Sequence, residues 1–151
     1  MKKFKARFLN LEKVRKIELD RQIKEMALAQ RKAQEIELEI RKLHERIRLE
    51  IERVRSGLVG FSHLEKDMQL VSADFRKNTR ALIDAKRKDL ILALQAIERE
   101  RRKVVEKQKR KKIITKLNEH ERDDYEENIR REEMRQLDEV GSNSWNYTPE
   151  P

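Results

Sequence analysis

Ser56-Gly57-Leu58-Val59-Gly60-Phe61-Ser62 is the stretch whose reading decides the fold. It holds two of the chain's three glycines, and the first proline is Pro149. Between Lys2 and Val140 nothing else in the chain stops a helix. The sequence therefore reads as two long helices joined by one tight turn. Gly57 suits the left-handed position that follows a helix end. Ser62-His63-Leu64-Glu65 has the spacing of a capping box: the serine oxygen accepts from a free backbone N–H and the glutamate reaches back.

Working outward, the first helix is expected over about residues 4–56, the turn over 57–62 and the second helix over about 63–140, closed by Gly141. Residues 141–151, with Trp145, Tyr147 and two prolines, are expected to be a disordered tail in which the two aromatics could serve as a docking motif. One unit is expected over residues 1–140. On the first helix Ala33, Ile36, Ile40, Leu43 and Ile47 recur at 3,4 spacing, with Val54 further on and Glu50 breaking the stripe. Leu19, Ile23 and Met26 continue it upstream, and Phe4, Phe8 and Leu11 begin it. This spacing puts apolar side chains on one face, which must pack on something. On the second helix Leu64, Met68, Val71, Phe75 and Leu82 share a stripe. Ile83, Leu90, Ile97 and Val104 follow at sevens, so the stripe shifts near Leu82, as at a local change of supercoil. The fold class is all-α: an elongated antiparallel two-helix coiled-coil hairpin with a C-terminal helical overhang.

At 1.5 Å per residue the helices would be ~80 Å and ~117 Å long. Pairing centred near Val59 places Phe4 opposite Ile114 and leaves everything past Leu117 without a partner from its own chain. An unpacked helix frays in water, so the overhang is expected to be ordered by a partner.

Charged residues make up 44% of the chain and aromatics 5%, with a net charge of +9. That composition belongs to long helices and coiled coils. Charge is distributed unevenly. Residues 1–16 carry seven Lys/Arg against one Glu, and residues 98–116 carry ten against three. Residues 118–139 reverse the sign, with four Arg against ten Asp/Glu. The expected pairing sets the two basic segments side by side, which costs stability and points to an acidic partner at that end.

Several functions are excluded. With no cysteine there is no disulfide, thiolate metal site or cysteine nucleophile. No apolar run approaches the roughly 20 residues of a membrane span. Met1-Lys2-Lys3-Phe4-Lys5 has charge but no following apolar region, unlike a signal peptide. His44, His63 and His120 lie too far apart to share a metal. No phosphate loop, nucleophile elbow or metalloprotease motif is present. The chain is read as a non-enzyme without cofactor or metal.

Arg99-Glu100-Arg101-Arg102-Lys103 and Lys107-Gln108-Lys109-Arg110-Lys111-Lys112 form a basic helix surface. Nucleic-acid-binding zippers use such surfaces. Here glutamates interleave with the cations and no asparagine-rich base-reading face exists, so no specific nucleic acid is expected. The turn tip offers Leu58, Val59 and Phe61, with Leu64, Met68, Val71 and Phe75 below it, as a second docking surface.

Phe4, Phe8 and Leu11-Glu12-Lys13-Val14-Arg15-Lys16-Ile17, then Glu100-Arg101-Arg102-Lys103-Val104-Val105-Glu106-Lys107-Gln108 and Glu132-Glu133-Met134-Arg135-Gln136-Leu137-Asp138-Glu139, resemble the family of the bacterial flagellar export protein FliJ. The resemblance covers roughly residues 2–140, while the Gly/Ser/Trp/Pro tail departs from it. It implies a stalk-like hairpin of the flagellar type III protein export apparatus. Such a stalk inserts its helical-termini end into the hexameric export ATPase, contacts the large membrane subunit of the export gate and assists export chaperones. Carried onto this chain, Arg101, Arg102, Lys103, Lys107, Arg110 and Lys111 would face the ATPase. Leu64, Met68, Val71 and Phe75 would face the gate. The resemblance further implies a protein that is monomeric when free, in the cytoplasm at the inner-membrane apparatus. A homologous stalk of a virulence secretion system and a basic coiled coil that binds nucleic acid are the alternatives.

Overall fold

The computed structural model describes residues 4–57 and 62–145, with side chains described over residues 4–57 and 65–142. Helix α1 spans Leu9–Gly57 and helix α2 spans Ser62–Trp145. The fold is all-α, a helical hairpin, as the sequence implies. Two compact units divide it. Residues 21–104 form one, and residues 1–20 with 105–151 form the other.

In the unit of residues 21–104 the helices pack antiparallel through Ala33, Leu43 and Ile83, all buried. Ala33, Ile36, Ile40, Leu43 and Ile47 do lie inward, as their spacing predicts. The α2 side differs from expectation. Ser72 and Thr79 are buried, whereas Val71, Phe75 and Leu82 stand exposed. Small side chains at the contact let the helices approach closely, and the larger Phe75 is left on the flank. Thr79 Oγ1 donates to the Phe75 carbonyl at 2.8 Å, which satisfies its hydroxyl locally. Ser72 is enclosed beside Glu50, whose carboxyl is held below the usual range by Arg53 first and by the Ser72 hydroxyl as well. On α1, Gln22 takes the buried place expected of Ile23. Its amide Nε2 donates to Glu100 Oε2, whose other oxygen accepts from Lys103 Nζ at 2.8 Å. Lys86 Nζ meets Glu39 Oε2 at 2.6 Å.

In the unit containing both chain ends, Leu19 and Asn118 are buried. Phe4 and the residues up to Phe8 precede α1 rather than belonging to its first turn. They are held by α2. The Phe8 N–H donates to Asn118 Oδ1 at 3.2 Å, and the Arg7 N–H donates to Glu121 Oε2 at 3.0 Å. Asn118 Nδ2 donates to Glu12 Oε2 at 2.8 Å, and Thr115 Oγ1 donates to Glu12 Oε1 at 2.7 Å. The Phe4 ring lies 5.1 Å from that of Tyr125. The backbone N–H groups of Arg7 and Phe8, just before α1, thus find side-chain acceptors on the other helix. Farther along, Lys107 Nζ reaches Glu18 Oε2 at 3.4 Å, and Arg15 Nη1 reaches the same oxygen at 2.9 Å.

These pairs correct the expected register. Phe4 lies against Tyr125, not Ile114, and Glu39 meets Lys86 rather than the turn of Thr79. The overhang starts later than expected, because Asn118, Glu121 and Tyr125 all meet the start of the chain, whereas Met134, Leu137 and Val140 farther on are exposed. Non-helical residues advance about 3.3 Å each against 1.5 Å in a helix, so residues 4–8 reach farther along α2. The buried side chains of Asn118 and Gln22 are hydrogen-bonded in this alignment and would lose those partners in another. The shift sets Arg7 beside Glu121 of the acidic segment, while Arg15 still faces Lys107 of the second basic segment with Glu18 shared between them.

Two helix ends differ from expectation. Gly57 is the last residue of α1 itself, and a Cβ there would meet Met68 Cε at 3.2 Å. α2 continues through Gly141 to Trp145, with Ser142 Oγ donating to the Asp138 carbonyl. Nothing lies within 4 Å of a Cβ built at Gly141.

Asn118→Ala deprives both the Phe8 N–H and Glu12 of a partner. Thermal unfolding followed by circular dichroism should show a loss of about 1–2 kcal/mol, while Lys116→Ala changes little. Hydrogen bonds from Thr115 and Asn118, with Lys111 nearby, hold the Glu12 carboxyl below its ordinary value of 4.5. A lowered carboxyl contributes stability above its unfolded value and loses it as pH falls through its folded value. Melting temperature should therefore drop as pH falls below about 4.5, and the drop should shrink in Glu12→Gln.

Candidate partner-binding surfaces

Two surfaces follow from these helices: the cations of α2 and the apolar side chains that the seam leaves out. In the unit of residues 21–104, Arg101 and Arg102 project into solvent with side chains 71% and 79% exposed. Both lie near Glu98, at 4.0 Å and 3.5 Å. Lys103 pairs with Glu100 on the same helix. Lys103, with help from the Gln22 amide, holds the Glu100 carboxyl below the usual range. In the other unit Arg110 pairs with Glu106 and is half exposed. Lys111 is half-buried. Lys107 turns inward to Glu18 and serves the packing of the helices. Arg15 first, then Lys107, lowers the Glu18 carboxyl. The six cations expected to form one surface therefore differ in kind. Arg101, Arg102, Lys103 and Arg110 face outward on short intrahelical pairs worth only about 0.3–0.5 kcal/mol each. A partner carboxylate can exchange into such pairs at little cost.

The four apolar candidates also separate. Met68 packs toward Gly57 at the end of α1. Val71 is 64% exposed and Phe75 40%. Leu82 and Leu70 are exposed as well. Val71, Phe75 and Leu82 recur at four and seven residues, which places them along one strip beside the seam. Sequence reasoning put Leu82 on this stripe without counting it in the site. Its recurrence with Val71 and Phe75 was the available signal. The side chain of Leu64 and residues Leu58, Val59 and Phe61 lie outside the described residues, as do Tyr147 and the side chain of Trp145.

In the unit containing the chain ends, Phe4, Leu9 and Glu12 of one strand of the hairpin and Thr115, Arg122 and Tyr125 of the other line an open groove. Among the described residues no group of three or more His, Asp or Glu side chains is arranged to hold a metal ion. His120 Nδ1 lies 3.7 Å from Asp124. Among the described residues no helix is long and apolar enough to cross a membrane.

In thermal unfolding Val71→Asp should leave stability within about 0.5 kcal/mol of the parent, because that side chain is largely solvated. Ile83→Ala should cost about 2–4 kcal/mol in the same experiment, because that side chain is 2% exposed.

No curated protein and no solved structure matches the chain. The family model described as "Flagellar FliJ protein" matches residues 4–149, nearly the whole chain and all of both helices. The paired helices, the single break between them and this match together place the chain in the flagellar FliJ protein family.

Proposed function

We propose that this chain is the stalk of a flagellar type III export apparatus. Its family is one of flagellar export components. In this reading the helical hairpin inserts into the hexameric export ATPase by the end that carries both termini. It couples that ring to the large membrane subunit of the export gate and assists export chaperones. It works without cofactor or catalysis, in the cytoplasm beside the membrane apparatus. The observation that carries the proposal is the family match over residues 4–149 of a chain that folds as two paired helices.

The mechanism is mechanical and allosteric. One asymmetric hairpin in a six-fold ring cannot contact all subunits alike. Its contacts favour some subunit conformations over others, and the nucleotide state of each subunit favours particular orientations of the hairpin in return. Arg101, Arg102, Lys103 and Arg110 are the groups proposed to face acidic loops of the ring, with Lys111 beside Arg110 in sequence and Lys107 contributing through its pairing with Glu18. Val71 and Phe75, with Leu82 added and Leu64 and Met68 at their side, are proposed as the gate-facing strip. The nucleic-acid alternative gains no support, because the family that the chain matches is one of flagellar export components.

The charge-reversed triple variant Arg101→Glu, Arg102→Glu, Lys103→Glu tests the ATPase assignment. Three surface charges at roughly 0.5–1 kcal/mol each predict at least about tenfold weaker binding to the ATPase and a matching loss of stimulated ATP hydrolysis. Helix content by circular dichroism should be unchanged. Full stimulation by the triple variant would refute the assignment.

A further inference from the structure

A different flank of the unit containing the chain ends carries four exposed aliphatic side chains. Leu11 is 37% exposed, Val14 49%, Ile113 59% and Leu117 43%. Their placement follows from the groove on the opposite flank. Leu9 and Thr115 line that groove. Leu11 and Leu117 each lie two residues on, about 200° around their helix, and so on the other side. Val14 is one turn from Leu11, and Ile113 is one turn from Leu117. Glu12 bonded to Thr115 and Asn118 holds the two pairs at the same level. The result is one apolar patch spanning both helices. Single exposed leucines need no explanation, but a contiguous patch across two helices marks a contact surface.

The charge pattern identifies the occupant. Leu117 sits where α2 changes sign. Residues 105–116 carry six Lys/Arg against one Glu, and residues 118–127 carry six Asp/Glu against one Arg. A segment that reverses sign about one residue is complementary to itself when two copies run antiparallel about that residue. A two-fold axis at Leu117 sets each basic half against the acidic half of the other copy. Leu117 then meets its own symmetry mate, and Ile113 lies over the turn of His120 and Glu121. Arg110 and Asp124, each seven residues from Leu117, stand opposite one another.

We propose that this flank binds a second copy of the same chain, forming an antiparallel two-fold dimer centred on Leu117. The interface is closed, since the same patch serves both copies. The expectation of a free monomer is replaced by an equilibrium that favours dimer at high concentration and low salt. The dimer covers Arg110, one of the cations proposed to face the ATPase ring, so self-association and that contact compete.

The absence of cysteine from the chain makes the axis directly testable. Full-length Leu117→Cys and the control Leu70→Cys, exposed and in the other unit, are oxidised side by side at matched concentration. Leu117→Cys should form a disulfide-linked dimer at least about tenfold faster than the control. Light scattering of the unmodified chain should rise from 18.3 kDa toward twice that mass with concentration and fall back in high salt. Arg110→Asp and Asp124→Arg should each weaken the dimer, and the two together should restore it. That rescue does not depend on how either single variant folds. Equal cross-linking rates with a constant 18.3 kDa mass would overturn the proposal. So would a dimer that cross-links equally from both positions and ignores the charge exchange.

Discussion

Asn118 is the residue on which the alignment of the chain ends depends. It is a buried polar side chain that uses both ends of its amide, accepting from the Phe8 N–H and donating to Glu12. A buried amide left without partners costs about 1–3 kcal/mol, so a slip of one turn would be penalised twice. Gln22, buried and bonded to Glu100, acts in the same way in the other unit. Aliphatic layers supply most of the attraction but tolerate several alignments, because one leucine layer resembles the next. Polar pairs contribute little net stability and much of the specificity.

This division of labour explains which features could be read from the sequence. The division into two helices was legible, because one glycine-containing break stands out in a chain otherwise made of helix formers, although the outer ends of both helices were not. The inward face of α1 from Ala33 to Ile47 was legible, because apolar side chains repeat there at helical spacing. The register was not legible. It depends on Gln22, Glu12 and Asn118, whose types carry no hydrophobic period, and on the non-helical residues 4–8. The α2 face near Phe75 was misread for a related reason. Ser72 and Thr79 occupy the seam because they are small, while the apolar stripe that periodicity selects lies on the flank.

The same misreading bears on the candidate sites. An apolar stripe that does not enter the seam is exposed apolar surface, which makes Val71, Phe75 and Leu82 better candidates for a partner contact than periodicity alone implied. The basic surface changed in the opposite direction. Lys107 proved to be a packing residue, sharing Glu18 with Arg15 where the two basic segments face each other. The remaining outward cations sit on weak intrahelical pairs, an arrangement that keeps them soluble yet exchangeable. Which side chains would meet the ATPase could be narrowed only after the pairing of the helices was known.

The central claim is that the hairpin occupies the axis of a hexameric ring. Single-particle electron microscopy of a flagellar export ATPase hexamer mixed with this chain tests it most directly. The account predicts two-helix density in the central channel, with the residues near both termini inside the ring and the strip of Val71 and Phe75 outside it. An empty channel at saturating chain, or density confined to the ring's outer edge, would contradict it.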